Sequence, residues 1–514
     1  MAALITDEFR LFNADNFLNS VTDPNNSYYI FVGLPNPQGD EYGRSPDWND
    51  DPLAPVDNFS YTRSCYDWMM YGRRITPGNI RRVIRRIDWV KGTRYEMYKD
   101  DYSVTNVSPN TGSTRLYDAN YYVINSEFRV YVCLSNGSSG DNPKGNGSED
   151  EPTFVDTEPS PAGSSGDGYI WKYLFTVSPA DVIKFDSTEY VTVPNDWLTS
   201  TSPQVVAIRE SGDSEINDSQ LKTIYIDKRG QGYSGGVGQE LNIIGDGEGA
   251  RAIIDVSSGR ISNALVAKGG KGYTWGLVDL GPINTSASEA AKLDVIVPPS
   301  RGHGYDIYQE LGTDRILVYA RFDDSTQDFP IDTQFAQIGI LRNPTISGSD
   351  QLFTENTFTS AGSLKILPNF DGGLEVGDVI RQTTDDGIAK GYVVSFNEET
   401  RVLKYIQDRS LYYNPVTYDN TDYVGITTEG NKVPFVSNTN NISGDSFSGS
   451  LDTTFNGSTE TINNRTVELG VEFTNGVAES EINKPSGEIL YLDNRPLVRR
   501  NPRQKEDVKI ILEF

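Results

Sequence analysis

One histidine stands in the chain, His303, between Gly302 and Gly304. A Ser-His-Asp or Cys-His relay would need it as the base, and a metal centre built from several histidines is excluded. Its favoured role is that of a turn residue. Asp50 with Asp51 and Asp100 with Asp101 are the obvious carboxylate pairs, but neighbours are expected among seventy-two acids. Adjacent residues on a strand point to opposite faces, so no catalytic role is assigned to them. Gly245-Asp246-Gly247-Glu248-Gly249 and Asp385-Asp386-Gly387 lack both the oxygen-ligand spacing of an EF-hand and the Gly-Lys-Ser/Thr ending of a phosphate loop. They read as hairpin turns. No catalytic, cofactor-binding or metal-binding residue is therefore expected, and the chain reads as a non-enzyme.

The densest charge is basic. Arg73, Arg74, Arg81, Arg82, Arg85 and Arg86 place six arginines within fourteen residues. With Thr76 as N-cap and Pro77 at the first position, the spacing of Ile80, Val83, Ile84 and Ile87 predicts a helix with the later arginines opposite an apolar stripe. Nucleic acid is a poor ligand for it, because no aromatic residues interleave the arginines and the whole chain carries −27. Bidentate contacts with carboxylates of a partner or a second copy, and a solvated or intramolecular face, both remain open. A second chemical feature is the strand Tyr169, Trp171, Tyr173, Phe175, whose rings recur at period two. It reads as a sheet face against a core, with an exposed ligand platform as the alternative.

These groups must be positioned by a chain of 514 residues, long enough for two to four domains. Forty-eight Gly, twenty-six Pro and twenty-nine Tyr favour many short strands joined by tight turns. Cys65 and Cys133 are too few for a disulfide scaffold, and no signal peptide or membrane span is visible. The expected setting is a reducing cytosol, with no membrane partner.

Along the chain, residues 14–20 suggest an amphipathic helix, 28–33 a buried strand and 35–58 a polar loop. Residues 95–134 hold strands, and the Ser, Gly, Asn and Asp-rich residues 135–167 read as a long flexible loop. Gly230-Gln231-Gly232-Tyr233-Ser234 recurs as Gly270-Lys271-Gly272-Tyr273-Thr274, with a looser copy at Gly302-His303-Gly304-Tyr305-Asp306. Residues 205–312 are read as an inserted glycine-turn β domain. A second insert spans 346–483, with three strands over 377–408 in a small barrel-like core and surface loops over 414–464. Residues 1–204, 313–345 and 484–514 form the remaining core, ending in a hairpin-like pair around the hinge Asp493-Asn494-Arg495-Pro496.

Those core blocks carry a family resemblance. YYIFVG, Trp68-Met69-Met70 before a helix, Arg85-Arg86-Ile87-Asp88-Trp89, GDGYIWKYLF and Tyr190-Val191-Thr192-Val193-Pro194 follow one another in order, and GEILYLDNRP closes the series. In this order the chain resembles the dimeric baseplate wedge proteins, of the gene-eight-product type, of T-even-like contractile-tailed bacteriophages. The resemblance covers roughly half the chain and leaves both inserts outside.

The residue pattern gives a mainly β fold with a few short helices and two inserted all-β domains, and the resemblance adds a β-sandwich core. The resemblance further implies a virion structural protein, made and assembled in the host cytoplasm. Its role would be a homodimer binding other wedge proteins around the six-fold baseplate and allowing rearrangement on tail contraction. Candidate interface residues are Arg73, Arg74, Arg81, Arg82, Arg85, Arg86, Asn494, Arg495, Arg499 and Arg500. The alternative is a fibre-like host-surface or glycan-binding baseplate protein.

Overall fold

The computed structural model describes residues 4–34, 48–212, 220–284, 287–323, 329, 333–418, 421–426, 432–439, 441–501 and 504–514. Of the polar loop expected over 35–58, residues 35–47 lie outside the described residues. The fold is mainly β, as expected, with short helices among antiparallel ladders. Two compact units divide the chain, residues 1–17, 81–317 and 511–514 forming one and residues 18–80 and 318–510 the other.

In the first unit, Tyr122–Ile124, Arg129–Asn136 and Tyr169–Thr176 form a three-stranded sheet. Tyr169, Trp171, Tyr173 and Phe175 are all buried in its core, which settles the aromatic strand as packing rather than a platform. The opposite face is covered too, because Lys172 and Leu174 are fully buried. The Ser and Gly-rich stretch that follows Asn136 is irregular but anchored: Asn146 N–H donates to Asn136 O, Gly92 N–H to Ser148 O, and Ser148 is buried.

The expected arginine helix is a strand. Pro77–Asn79 makes one 3-10 turn, Thr76 offers it no side-chain cap, and Ile80–Arg85 pairs antiparallel with Tyr190–Val193. Ile80, Val83 and Ile84 are β-branched and fit a pleated surface better than a helix. On the strand Val83 faces away from Ile80 and Ile84, and all three are buried because both faces of the strand are covered, a burial that the helical spacing could not distinguish. The opening helix is longer than expected, Asp7–Thr22.

The glycine-turn repeat is a real structural repeat in its first two copies. Gly230 and Gly270 share φ near +60° (63° and 62°), and Gly232 and Gly272 are also left-handed. Gln231 bridges Glu289, and Lys271 bridges Glu248. Two residues beyond each bridge partner, Ala291 N–H donates to Tyr233 Oη at 2.8 Å and Ala250 N–H to Tyr273 Oη at 3.2 Å. Each tyrosine thus plugs a core while its hydroxyl receives a backbone donor. The strands between and around these turns build the sheet Arg260–Lys268, Arg251–Ser257, Gln239–Gly245, Gly276–Val278 and the pair Thr223–Lys228 with Lys292–Ile296. In the third copy Tyr305 is only half-buried.

The second unit is organised by the strand Tyr28–Gly33, buried along its whole length. Met69–Arg74 and Gln334–Arg342 flank it, and Thr357–Thr359 and Glu488–Arg499 close the five-stranded sheet. The helix next to Trp68 precedes the methionines rather than following them: Phe59–Trp68 is capped by Asn58, whose side chain accepts from Tyr61 N–H. Nor do the terminal strands form a hairpin. Glu488–Arg499 pairs with Gln334–Arg342 on both sides of the supposed hinge, where a bulge of Arg495, Pro496 and Leu497 shifts the register between the Gln337–Asn494 and Phe335–Val498 pairs, while Glu506–Glu513 lies in a different sheet. The strands foreseen over 377–408 appear as Val379–Thr384, Gly387–Asn397 and Val402–Ile406 in an eight-stranded sheet. The loops expected over 414–464 contain strands instead, Tyr413–Tyr418 with Thr421–Ile426, Asn441–Ser443 with Phe447–Ser450, and Gly457–Ile462. Small hydroxyl and amide residues there resemble loop composition, yet cross-strand ladders use them.

The two repeat glycines of one turn should differ in cost. A Cβ on Gly270 would lie 2.5 Å from Glu248 O and 2.6 Å from Ala250 N, whereas on Gly272 its nearest neighbour is 3.9 Å away. Gly270→Ala is expected to lower stability by about 3 kcal/mol and Gly272→Ala by about 1 kcal/mol. Urea unfolding of the two variants measures the difference.

Candidate functional site

The arginines proposed as an interface have different tasks. In the first unit Arg81 Nε is 3.0 Å from Asp181 Oδ1, and Arg86 pairs with Asp88 and Asp186. These carboxylates hold the Arg86 guanidinium above its ordinary range, its hydrogen bond to Asp88 being the strongest influence. Arg82 is buried, ion-paired with Asp15 and stacked 4.0 Å from the Tyr308 ring centroid. Arg85 donates to Tyr117 O and Ala119 O. The cluster therefore ties a strand to its surroundings.

In the second unit Arg73 and Arg74 are half-buried, and Arg74 donates to Thr354 O. Asn494 is buried, its amide donating to Leu53 O and Tyr61 Oη while its carbonyl accepts from Gln337. Arg500 is wholly buried, 2.8 Å from Glu506 Oε2 and 4.0 Å above the Phe329 ring. Arg495, paired with Asp493, and Arg499 are exposed. Of the ten candidates, these two face solvent.

Sequence reasoning missed a more prominent surface. Leu4 and Ile5 precede the opening helix and Phe9 and Phe12 lie on it, each more than half exposed. The i, i+3 spacing of Phe9 and Phe12 was the available signal, since it marks one helical face. His303 is the turn residue that the sequence suggested, and what the sequence did not show is its partner. Its Nδ1 lies 2.7 Å from Glu310 Oε1, whose other oxygen accepts Gly304 N–H at 2.7 Å. Both side chains are sealed from solvent, so the histidine secures a turn. Lys172 is a third hidden group. Its Nζ donates to Thr157 O at 2.7 Å and Ser211 Oγ at 2.8 Å, and burial pushes its pKa down to about 8. In the second unit burial likewise lowers Lys484 to about 7, where it borders a cavity of about 310 Å³ and donates to Asp67 O.

The acidic glycine loop is a brace: Asp246 accepts Thr274 N–H, Thr274 Oγ1–H and Trp275 N–H, which hold its carboxyl at about 2. Among the described residues no cluster of three metal-ligating side chains occurs, and no helix is long and apolar enough to cross a membrane.

What these features define is a mainly β chain whose charged groups hold strands together and whose exposed groups offer contact surface. No protein-family model matches it. It is similar to the baseplate wedge protein gp8 of Enterobacteria phage T4, with 27% identity over 220 residues, 37% of this chain and 60% of that protein. The match thus spans under two thirds of the relative's length, and it supports a phage-baseplate kind of relation.

Two measurements separate fold-holding from exposed charge. Arg500→Ala strands a buried Glu506 and should cost about 3–5 kcal/mol, whereas Arg495→Ala and Arg499→Ala should each change stability by under about 0.5 kcal/mol. Chemical denaturation distinguishes them. Lys172 gives a pH signature. Its folded pKa lies below its unfolded value, so the unfolded chain binds the extra proton between about 8 and the ordinary lysine value, and stability rises with pH there. Relative to Lys172→Met, the wild type should gain about 3 kcal/mol across that window, with no differential slope below it.

Proposed function

We propose that this chain is a structural, non-enzymatic subunit of a phage tail baseplate. The observation that carries the reading is the similarity to a baseplate wedge protein over 220 residues. In its fuller form, the subunit is a homodimer that binds other wedge proteins, helps close a six-fold baseplate and allows it to rearrange on tail contraction. The virion tail is its place, after assembly in the host cytoplasm. The larger parts of residues 205–312 and 346–483 are additions to the shared core, a reading supported by hydrophobic clusters that draw on those segments alone, while Ile307, Tyr308 and Leu311 pack in the core of the first unit and Thr357–Thr359 joins the five-stranded sheet of the second.

The surfaces that suit assembly are the exposed ones. Phe9 and Phe12 supply the rigid aromatic contacts that dominate interface energetics, and Arg495 and Arg499 supply rim charges for partner carboxylates. Arg81, Arg82, Arg85 and Arg86 act through the strand they hold, and Arg73, Arg74, Asn494 and Arg500 through the five-stranded sheet and its neighbours.

Quantitative mass spectrometry of purified phage particles tests the role, counting this chain against the tube protein. A copy number that is an even multiple of six is expected; absence from the particle overturns the reading. Phe9→Ser with Phe12→Ser should weaken self-association or wedge assembly by about tenfold or more at unchanged melting temperature. Arg495→Glu with Arg499→Glu should chiefly slow association.

A further inference from the structure

The first unit contains a cleft of about 500 Å³ that the structural role does not use. The ladder of Thr223–Lys228 with Lys292–Ile296 supplies one wall, residues 96–109 another, and the loop around Gly140 the third. Its volume lies within the range of small-molecule sites, but its lining is dominated by polar groups rather than by the usual apolar side chains.

Two ammonium groups of that lining already have partners within the chain. Lys99 Nζ is held 3.9 Å from the Tyr225 ring centroid, and Lys292 Nζ lies 3.0 Å from Asp227 Oδ2 and 3.4 Å from Asp294 Oδ2. The loop wall is locked as well. Gly140 N–H donates to Ile226 O at 2.8 Å, and a Cβ at Gly140 would come within 1.7 Å of Asp227 O. Glu96 is spent on Asn110, Thr111 and Asn120 N–H groups and the Thr111 hydroxyl, so it braces the second wall instead of facing a ligand.

The charge pattern selects the ligand. An anion would meet Asp101, Asp227 and Asp294, and a divalent cation would find the last two already bridged by an ammonium. Apolar molecules would desolvate these groups without replacing their hydrogen bonds. A neutral polyol can donate to each carboxylate and accept from each ammonium with the same hydroxyl groups. We propose that this cleft binds a short neutral carbohydrate, whose hydroxyls span the ammonium groups of Lys99 and Lys292 and the carboxylates of Asp101 and Asp294. Preformed donors and acceptors lower the ordering cost of such a ligand.

Saturation-transfer NMR on the full chain tests this, with soluble mono- to tetrasaccharides of glucose, galactose and N-acetylglucosamine as probes. At least one sugar should bind with Kd of about 1 mM or tighter. Lys99→Met with Asp294→Asn should weaken it by about tenfold or more at unchanged melting temperature. Val107→Trp, which fills the mouth from an exposed position, should do the same without touching the ladder. Failure of every sugar to bind overturns the proposal, and so does binding that survives Val107→Trp.

Discussion

Every cation that this chain takes out of water must be answered inside the fold, and much of the architecture follows from that. An unpartnered buried charge costs several kcal/mol, a large fraction of the roughly 5–15 kcal/mol that holds a domain together. Arg82 and Lys172 in the first unit, and Lys365 and Arg500 in the second, are each almost wholly buried. Each finds an acceptor: Asp15 for Arg82, Thr157 O and Ser211 for Lys172, Glu460 for Lys365, Glu506 for Arg500. Aromatic faces complete the cages, Tyr308 for Arg82, Phe455 for Lys365 and Phe329 for Arg500. With 45 basic against 72 acidic residues, acceptors are plentiful, which is why basic residues could be drafted into the interior.

That same fact explains where the sequence was legible and where it misled. Composition and turn chemistry announced a β protein, and the paired Gly-x-Gly-Tyr motifs were readable because a left-handed backbone and a plugging tyrosine are local demands. The arginine run was not readable. Its helical reading followed the apolar spacing and left the arginines to an interface, to solvent or to the chain itself, whereas Arg82 points into a cage assembled from residues 15 and 308. Nothing local reveals such partners. The hinge at Asp493-Asn494-Arg495-Pro496 was legible in part: its residue types mark a real break, but the break is a bulge at Arg495, Pro496 and Leu497 inside a continuing ladder, with Asn494 satisfied by Gln337 and Tyr61, and not the turn of a hairpin.

The candidate surfaces show the converse. A sequence pattern can mark a charge cluster, but it cannot separate charge that grips the chain itself from charge that faces outward. Burial sorts them, leaving Arg495 and Arg499 outside and turning Arg500 into part of the core. The exposed phenylalanines were hidden for a different reason. Spacing puts Phe9 and Phe12 on one helical face but does not say whether that face is covered; burial shows both exposed, while Phe17, on the same helix, uses its ring against Phe514. One helix thus spends some aromatics on the fold and leaves others uncovered.

The charge balance then constrains how such a chain can assemble. Copies carrying −27 repel each other, and that repulsion acts through a Debye length of about 8 Å at physiological salt. Attraction must therefore come from short-range burial, which acts only once surfaces touch and does not weaken as salt rises. Uncovered phenylalanines meet that requirement. Exposed arginines add local complementarity against a partner as acidic as this chain, and their contribution fades with salt. For the proposed assembly, raising ionic strength relieves the long-range penalty while leaving the apolar contact intact. On that proposal such a chain joins its neighbours better in salt than in dilute buffer, the reverse of a nucleic-acid binder.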